Sequence, residues 1–137
     1  MKGGWHMQWE LTNDRPLYIQ LIEQLKLLIL SGEYEPGQQF PTVRDLALNA
    51  NVNPNTMQRA LSELERDGLL INGRTTGRKI TSDASMIRTM REELALSKLR
   101  QLKTELNRLG LSSEEALELI NIRWNSCETD VSQKANI

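Results

Sequence analysis

The stretch whose reading decides the fold is N51-V-N-P-N-T-M-Q-R-A-L-S-E-L-E-R-D-G68. Four polar residues and a proline give way at once to a helical pattern. Asn53 suits an N-cap, because its short side chain accepts a hydrogen bond from a free amide of the first turn. Pro54 suits the first helical position, where a missing N–H costs nothing. Met57, Ala60, Leu61 and Leu64 then recur at i, i+3, i+4 and i+7, which is one inward stripe. Gly68 closes the helix. Asn55, Gln58, Arg59 and Ser62 are left facing outward. Alone, that face reads more readily as an ordinary solvated surface than as side chains presented to a ligand.

The neighbouring elements narrow the choice. Upstream, P41-T-V-R-D-L-A-L-N-A50 reads as a short helix, with Thr42 as N-cap, Asp45 at the third position, and Val43, Leu46 and Ala47 inward. It stops on asparagines, and only a tight turn through Val52 separates it from the next helix. Before it, P16-L-Y-I-Q-L-I-E-Q-L-K-L-L-I-L-S-G32 carries an apolar stripe at Tyr18, Leu21, Ile22, Leu25, Leu28 and Ile29. Asp14 is expected to cap it, Pro16 to lie in its first turn, and Gly32 to end it. Gln38 to Phe40 reads as a short extended piece. Downstream, L69-L-I-N-G-R-T-T-G-R-K-I-T81 reads as two short strands around a loop, with the returning strand at Arg78 to Thr81. Two short helices joined by a tight turn, then a hairpin, behind a supporting helix, give the order of a winged helix-turn-helix. In that arrangement the second helix enters the major groove and its N-terminal residues meet base edges.

Composition agrees by what it omits. The 137 residues hold one histidine, His6, and one cysteine, Cys127, so catalytic and metal-ligating material is scarce and no disulfide framework is possible within the chain. Neither an enzyme nor a cofactor or metal is expected. No apolar run approaches the ~20 residues that span a bilayer, and MKGGWHM lacks the apolar core of a signal peptide. A cytoplasmic location is expected. Seventeen basic against 18 acidic residues give a net charge of −1, yet the distribution is uneven. Arg44, Arg59, Arg74, Arg78 and Lys79 lie on the elements that would approach DNA, while Glu63, Glu65 and Asp67 gather at the far end of the third helix.

From Asp83 to about Leu109 the composition shifts to Leu, Glu, Lys and Arg. Ile87, Met90, Leu94, Leu99, Leu102, Leu106 and Leu109 recur at mostly helical spacing, with one change of phase. A helix of ~25 residues is about 38 Å long, too long to hide an apolar face on a small domain. Ser112 with Glu115 forms a capping box opening a last helix that carries Leu117, Ile120 and Trp124. These two helices are expected to dimerise the chain. Trp5, Trp9 and Trp124 are assigned to packing at that interface or within the N-terminal arm.

Several runs also carry a resemblance: P16-L-Y-I-Q-L, L30-S-G-E-Y-E-P-G-Q-Q-F-P-T-V-R-D-L-A47, V52-N-P-N-T and A60-L-S-E-L-E-R-D-G-L-L70. Over residues 16–81 the chain closely resembles the DNA-binding domain of the GntR family of bacterial transcription regulators. The short helical tail resembles its YtrA branch. The resemblance implies a sequence-specific repressor of, by analogy, a transporter operon, with contacts to double-stranded operator DNA at Arg44, Asn53, Asn55, Thr56, Gln58 and Gly77. The residues themselves add Thr42, Arg59, Arg74, Thr76 and Arg78 to the expected DNA face. Pro54, Gln58 and the wing T75-T-G-R-K-I80 depart from the commoner family pattern, so no operator sequence transfers. The rival reading is a winged-helix adaptor that binds protein instead. A small-molecule effector is an expected partner, although no residue names it.

The expected architecture is therefore mainly α with a small β-hairpin wing. An N-terminal arm occupies 1–15, where Met7 could serve as a start. The winged helix-turn-helix occupies 16–81, the two-helix C-terminal dimerisation region 82–125, and a flexible tail 126–137.

Overall fold

A computed structural model of the chain describes residues 7–73 and 75–127. The expectations for Trp5, Arg74 and residues 128–137 lie outside the described residues. The chain forms two compact units that divide after Glu93. Among the described residues the first unit contains α1 (Leu17–Leu30), α2 (Val43–Ala50), α3 (Pro54–Arg66), β1 (Leu70–Gly73) and β2 (Gly77–Ile80). Helix α4 (Ala84–Arg108) begins there and continues into the second unit, which holds α5 (Ser113–Arg123) and a 3-10 turn at Trp124–Ser126.

The core of the first unit follows the periodicity of its helices. Leu21, Leu25 and Ile29 of α1 are buried with Leu46 and Ala47 of α2 and the Met57, Ala60, Leu61, Leu64 stripe of α3. Helix α3 packs against both α1 and α2. Phe40, Leu69, Leu70 and Ile80 close the side beneath the hairpin. β1 and β2 pair antiparallel from Leu70↔Ile80 to Gly73↔Gly77. The Gln38–Phe40 segment joins as a third extended piece, since Phe40 N donates to Arg78 O at 2.9 Å and Ile80 N to Gln38 O at 2.8 Å.

Two expectations for α1 are corrected. Pro16 has extended backbone (φ −54°, ψ 134°) and is itself the N-cap, without a side-chain bond. Asp14 lies too far out to cap, and its carboxylate accepts from the Thr12 hydroxyl instead. Gln20, in a polar position, is only 1% exposed. Its Oε1 accepts from Thr12 N at 2.7 Å, and its Nε2 donates to the carbonyls of Thr12 and Arg15, both at 2.9 Å. One turn on, Gln24 brackets Glu10 in the same way at 2.9 and 2.8 Å. Two carboxamides thus hold the extended arm against α1 as a strand edge would, and burial of Gln20 is tolerated because its amide is satisfied.

Carboxylates set the starts of the last two helices. Asp83 Oδ1 accepts from Ser85 Oγ at 2.8 Å and Met86 N at 3.0 Å. Ser112 and Glu115 form the expected reciprocal capping box. The Ser85 hydroxyl, then the Met86 amide, hold the Asp83 carboxyl below its ordinary value; the Ser112 amide and hydroxyl do the same for Glu115. A depressed folded pKa contributes stability above the unfolded value, near 4, that is lost as pH falls through the folded one. Asp83→Asn keeps a capping side chain but removes its titration. It is expected to melt like the parent at neutral pH and to lose less stability below about pH 4, read by circular dichroism. An unchanged acid limb would refute this role.

Candidate nucleic-acid interface

The turn between α2 and α3 is built to aim α3. Asn51 takes the left-handed conformation (φ 57°, ψ 50°) that ends α2, a state asparagine tolerates better than most residues. Val52 N returns to Ala47 O at 3.0 Å. Asn53 Oδ1 then accepts from Asn55 N at 2.7 Å, and Pro54 stands in the first turn, as expected. With all four stripe residues fully buried, the rotation of α3 about its axis is fixed. Asn55, Gln58, Arg59 and Ser62 are exposed as a consequence, and Thr56 is half-buried.

Two of these outward residues are further restrained. Gln58 Nε2 lies 3.5 Å from Ser62 Oγ, at the limit of a hydrogen bond. The Arg59 guanidinium stacks over the Tyr18 ring, 3.6 Å from its centroid. That cation–π contact is worth about 0.5–1 kcal/mol at an exposed site, and it pre-orients a side chain that would otherwise sample many rotamers. At the start of α2, the Thr42 hydroxyl accepts from Asp45 N at 3.0 Å, and Arg44 is exposed.

The wing is held by residues not singled out from sequence. Gln39 donates from Nε2 to the Thr76 carbonyl at the tip. Gly77 has φ +78°, and a Cβ there would come 3.1 Å from the same Nε2, so glycine suits both the backbone and the close approach. Thr76 is exposed. Arg78 has a different position from the one its charge suggested. Its side chain is 12% exposed, and Nη2 pairs at 3.2 Å with Glu65 Oε1 of α3, itself 22% exposed. Lys79, one residue on, is exposed on the opposite face of the strand.

The C-terminal residues divide as well. Ile87 is buried within the first unit, so it is unavailable to another chain. Met90 and Leu94 are half-buried. In the second unit Leu99, Leu102, Leu109 and Leu117 are exposed, while Leu106 and Ile120 are half-buried. Trp9 belongs to the arm, where its Nε1 donates to Asn49 Oδ1 at 2.6 Å; Trp124 is exposed.

The family described as "Bacterial regulatory proteins, gntR family" matches residues 17–79. The uncharacterized HTH-type transcriptional regulator YhcF of Bacillus subtilis is 33% identical over 112 residues, covering 82% of this chain and 93% of that one. The chain belongs to the GntR family. The HTH-type transcriptional repressor YtrA of Bacillus subtilis is 34% identical over 80% of each chain. A GntR family transcriptional regulator from Listeria monocytogenes superposes with a TM-score of 0.75 at 30% identity, over 81% of this chain and 97% of that one. GntR proteins are transcription regulators, not enzymes, and the α1–β2 region is their DNA-binding domain. The helical fold with a two-stranded wing expected from sequence is the GntR fold. In this chain no described helix is long and apolar enough to cross a membrane.

Proposed function

We propose that the chain is a homodimeric, cytoplasmic repressor that reads a pseudo-palindromic operator with the N-terminal half of α3. The observation that carries this reading is the rigid division of α3. Four fully buried side chains fix its inward face, and Asn55, Gln58 and Arg59 stand outward behind a capped start. Asn and Gln match the donor–acceptor edge of adenine, and Arg matches guanine or phosphate. Thr42, Arg44, Asn53 and Thr56 are assigned to the backbone, where helix N-termini favour anions. Thr76 and Gly77 form the wing-tip contact. A similar GntR protein, YtrA, is itself named a transcriptional repressor. The regulated genes are expected to include a transporter, as the resemblance to the YtrA branch implies.

Dimerisation is supported by the second unit. Among its described residues, from Leu94 on, no apolar side chain of α4 or α5 is fully buried. They enclose a groove of about 370 Å³ lined by Leu99, Leu102, Leu106, Ala116, Leu117 and Ile120 among others. Two helices cannot close a core on their own, and a second copy brings the same leucines to the same groove, as a two-fold interface requires.

The test is binding to the DNA upstream of the chain's own gene, by gel shift and footprinting. Gln58→Ala is expected to lose about 1–3 kcal/mol of discrimination at one base pair of each half-site. Unaltered preference at every position would remove Gln58 from the reading face. Failure of the parent to bind any duplex in a salt-dependent way would favour a protein partner instead.

A further inference from the structure

We infer that Arg78 is a positioning residue of the wing and makes no phosphate contact, its partner being Glu65 at the end of the recognition helix. This deepens the DNA-binding reading and rests on it. Strand β2 alternates, so Arg78 shares a face with the buried Ile80 and points toward α3, while Gly77 and Lys79 point away. The Arg78 backbone is fixed on both sides, through its pairing with Asn72 on β1 and through Phe40 N donating to its carbonyl. Its guanidinium reaches Glu65 at 3.2 Å, and its Nε is buried without a hydrogen-bond partner. A guanidinium placed there cannot turn to a phosphate without leaving Glu65 as a largely desolvated, unpaired carboxylate.

The pair joins the second strand of the wing to the last turn of α3 across 13 residues of sequence. Gln39 ties down the tip of the same hairpin. Together they set where Thr76 and Gly77 stand relative to the helix that reads bases. Specificity then depends on Arg78 through geometry, and its charge is neutralised inside the protein.

The salt dependence of binding separates the two roles, because each phosphate contact adds about 0.9 to the slope of log K against log salt. The probe is a labelled mixed-sequence duplex, which needs no knowledge of the operator. Arg44→Met, on the exposed start of α2, is expected to lower the slope by about 0.9. Arg78→Met and Glu65→Gln are each expected to weaken binding with the parent slope. Because they break one interaction, the double variant should be no weaker than either. The charge-reversed pair, R78E with E65R, is expected to restore much of the affinity, again at the parent slope.

A slope lowered by R78M as much as by R44M would overturn the assignment. Should R78M fail to fold, the charge-reversed pair decides, because it keeps the ion pair and leaves no cation at position 78: a slope lowered by about 0.9 overturns the assignment. A parent that binds no duplex would overturn the DNA-binding reading and this inference together. A parent that binds, with R78M flattening the slope, overturns this inference alone.

Discussion

Leu106→Arg is expected to convert the proposed dimer to a monomer and to lower affinity for a two-half-site operator by about 10²–10⁴-fold. Leu106 lines the groove between α4 and α5 and is only half-covered within one chain. Around it, Leu102 and Leu117 are exposed, and Leu109 is 76% exposed. Fully covering a leucine is worth about 1.5–3 kcal/mol, so a few such side chains from each copy suffice for a stable pair. An arginine in the centre of that groove would have to be buried without a counter-charge. Once the copies separate, each winged helix binds its half-site independently and the gain from linkage disappears, although no DNA contact has been touched. Sedimentation and gel shift read both consequences. The same substitution at Thr104, on the opposite side of α4, should leave the dimer and its affinity intact. An L106R variant that still sediments as a dimer would remove the groove from the interface.

Leu61→Ala is expected to cost about 2–5 kcal/mol of stability. Leu61 is fully buried on the face of α3 that meets α1 and α2, and truncation leaves a void that close-packed neighbours fill only in part. Domains of this kind are stable by about 5–15 kcal/mol, so the loss is a large share of the total. The variant should melt much earlier and lose DNA binding with its fold, yet keep the parent's base preference at temperatures where it remains folded. Gln58→Ala is the complement. As an exposed residue it should change stability by no more than about 0.5 kcal/mol while altering base preference. Chemical denaturation checks both; an L61A midpoint close to the parent's would mean that α3 is not held by this stripe.

The parts of the fold legible from sequence are those whose causes are local. Asn53 and Pro54 start α3 through contacts within three residues, and the Met57–Leu64 stripe needs only the helical period. Ser112 with Glu115, and the glycines at 32 and 68, act at the same short range; both glycines have positive φ. What the sequence does not reveal are partners far apart in the chain. Gln20 is satisfied in the core by the arm eight positions earlier, which no helical period signals. Arg78 pairs with Glu65, which belongs to another element, so its charge alone does not show the pairing. Arg59 lies on Tyr18, 41 residues away, a stacking that no periodicity signals. Ile87 joined the leucine series by spacing, yet it is buried in the first unit. At the candidate interface, the outward set on α3 was legible because the inward set was. The support of the wing by Gln39 and Glu65 was not.

If α3 reads DNA as one half of a two-fold pair, as proposed, its preferred sites share that symmetry. Selection of bound duplexes from a random pool, followed by sequencing, is the deciding measurement. The expected result is an enriched inverted repeat whose half-site centres lie one helical turn, about 10–10.5 base pairs, or a multiple of it apart. Gln58→Ala is expected to relax the same base pair in both halves. A pool that enriches a single unrepeated site, or none, would contradict the two-fold reading.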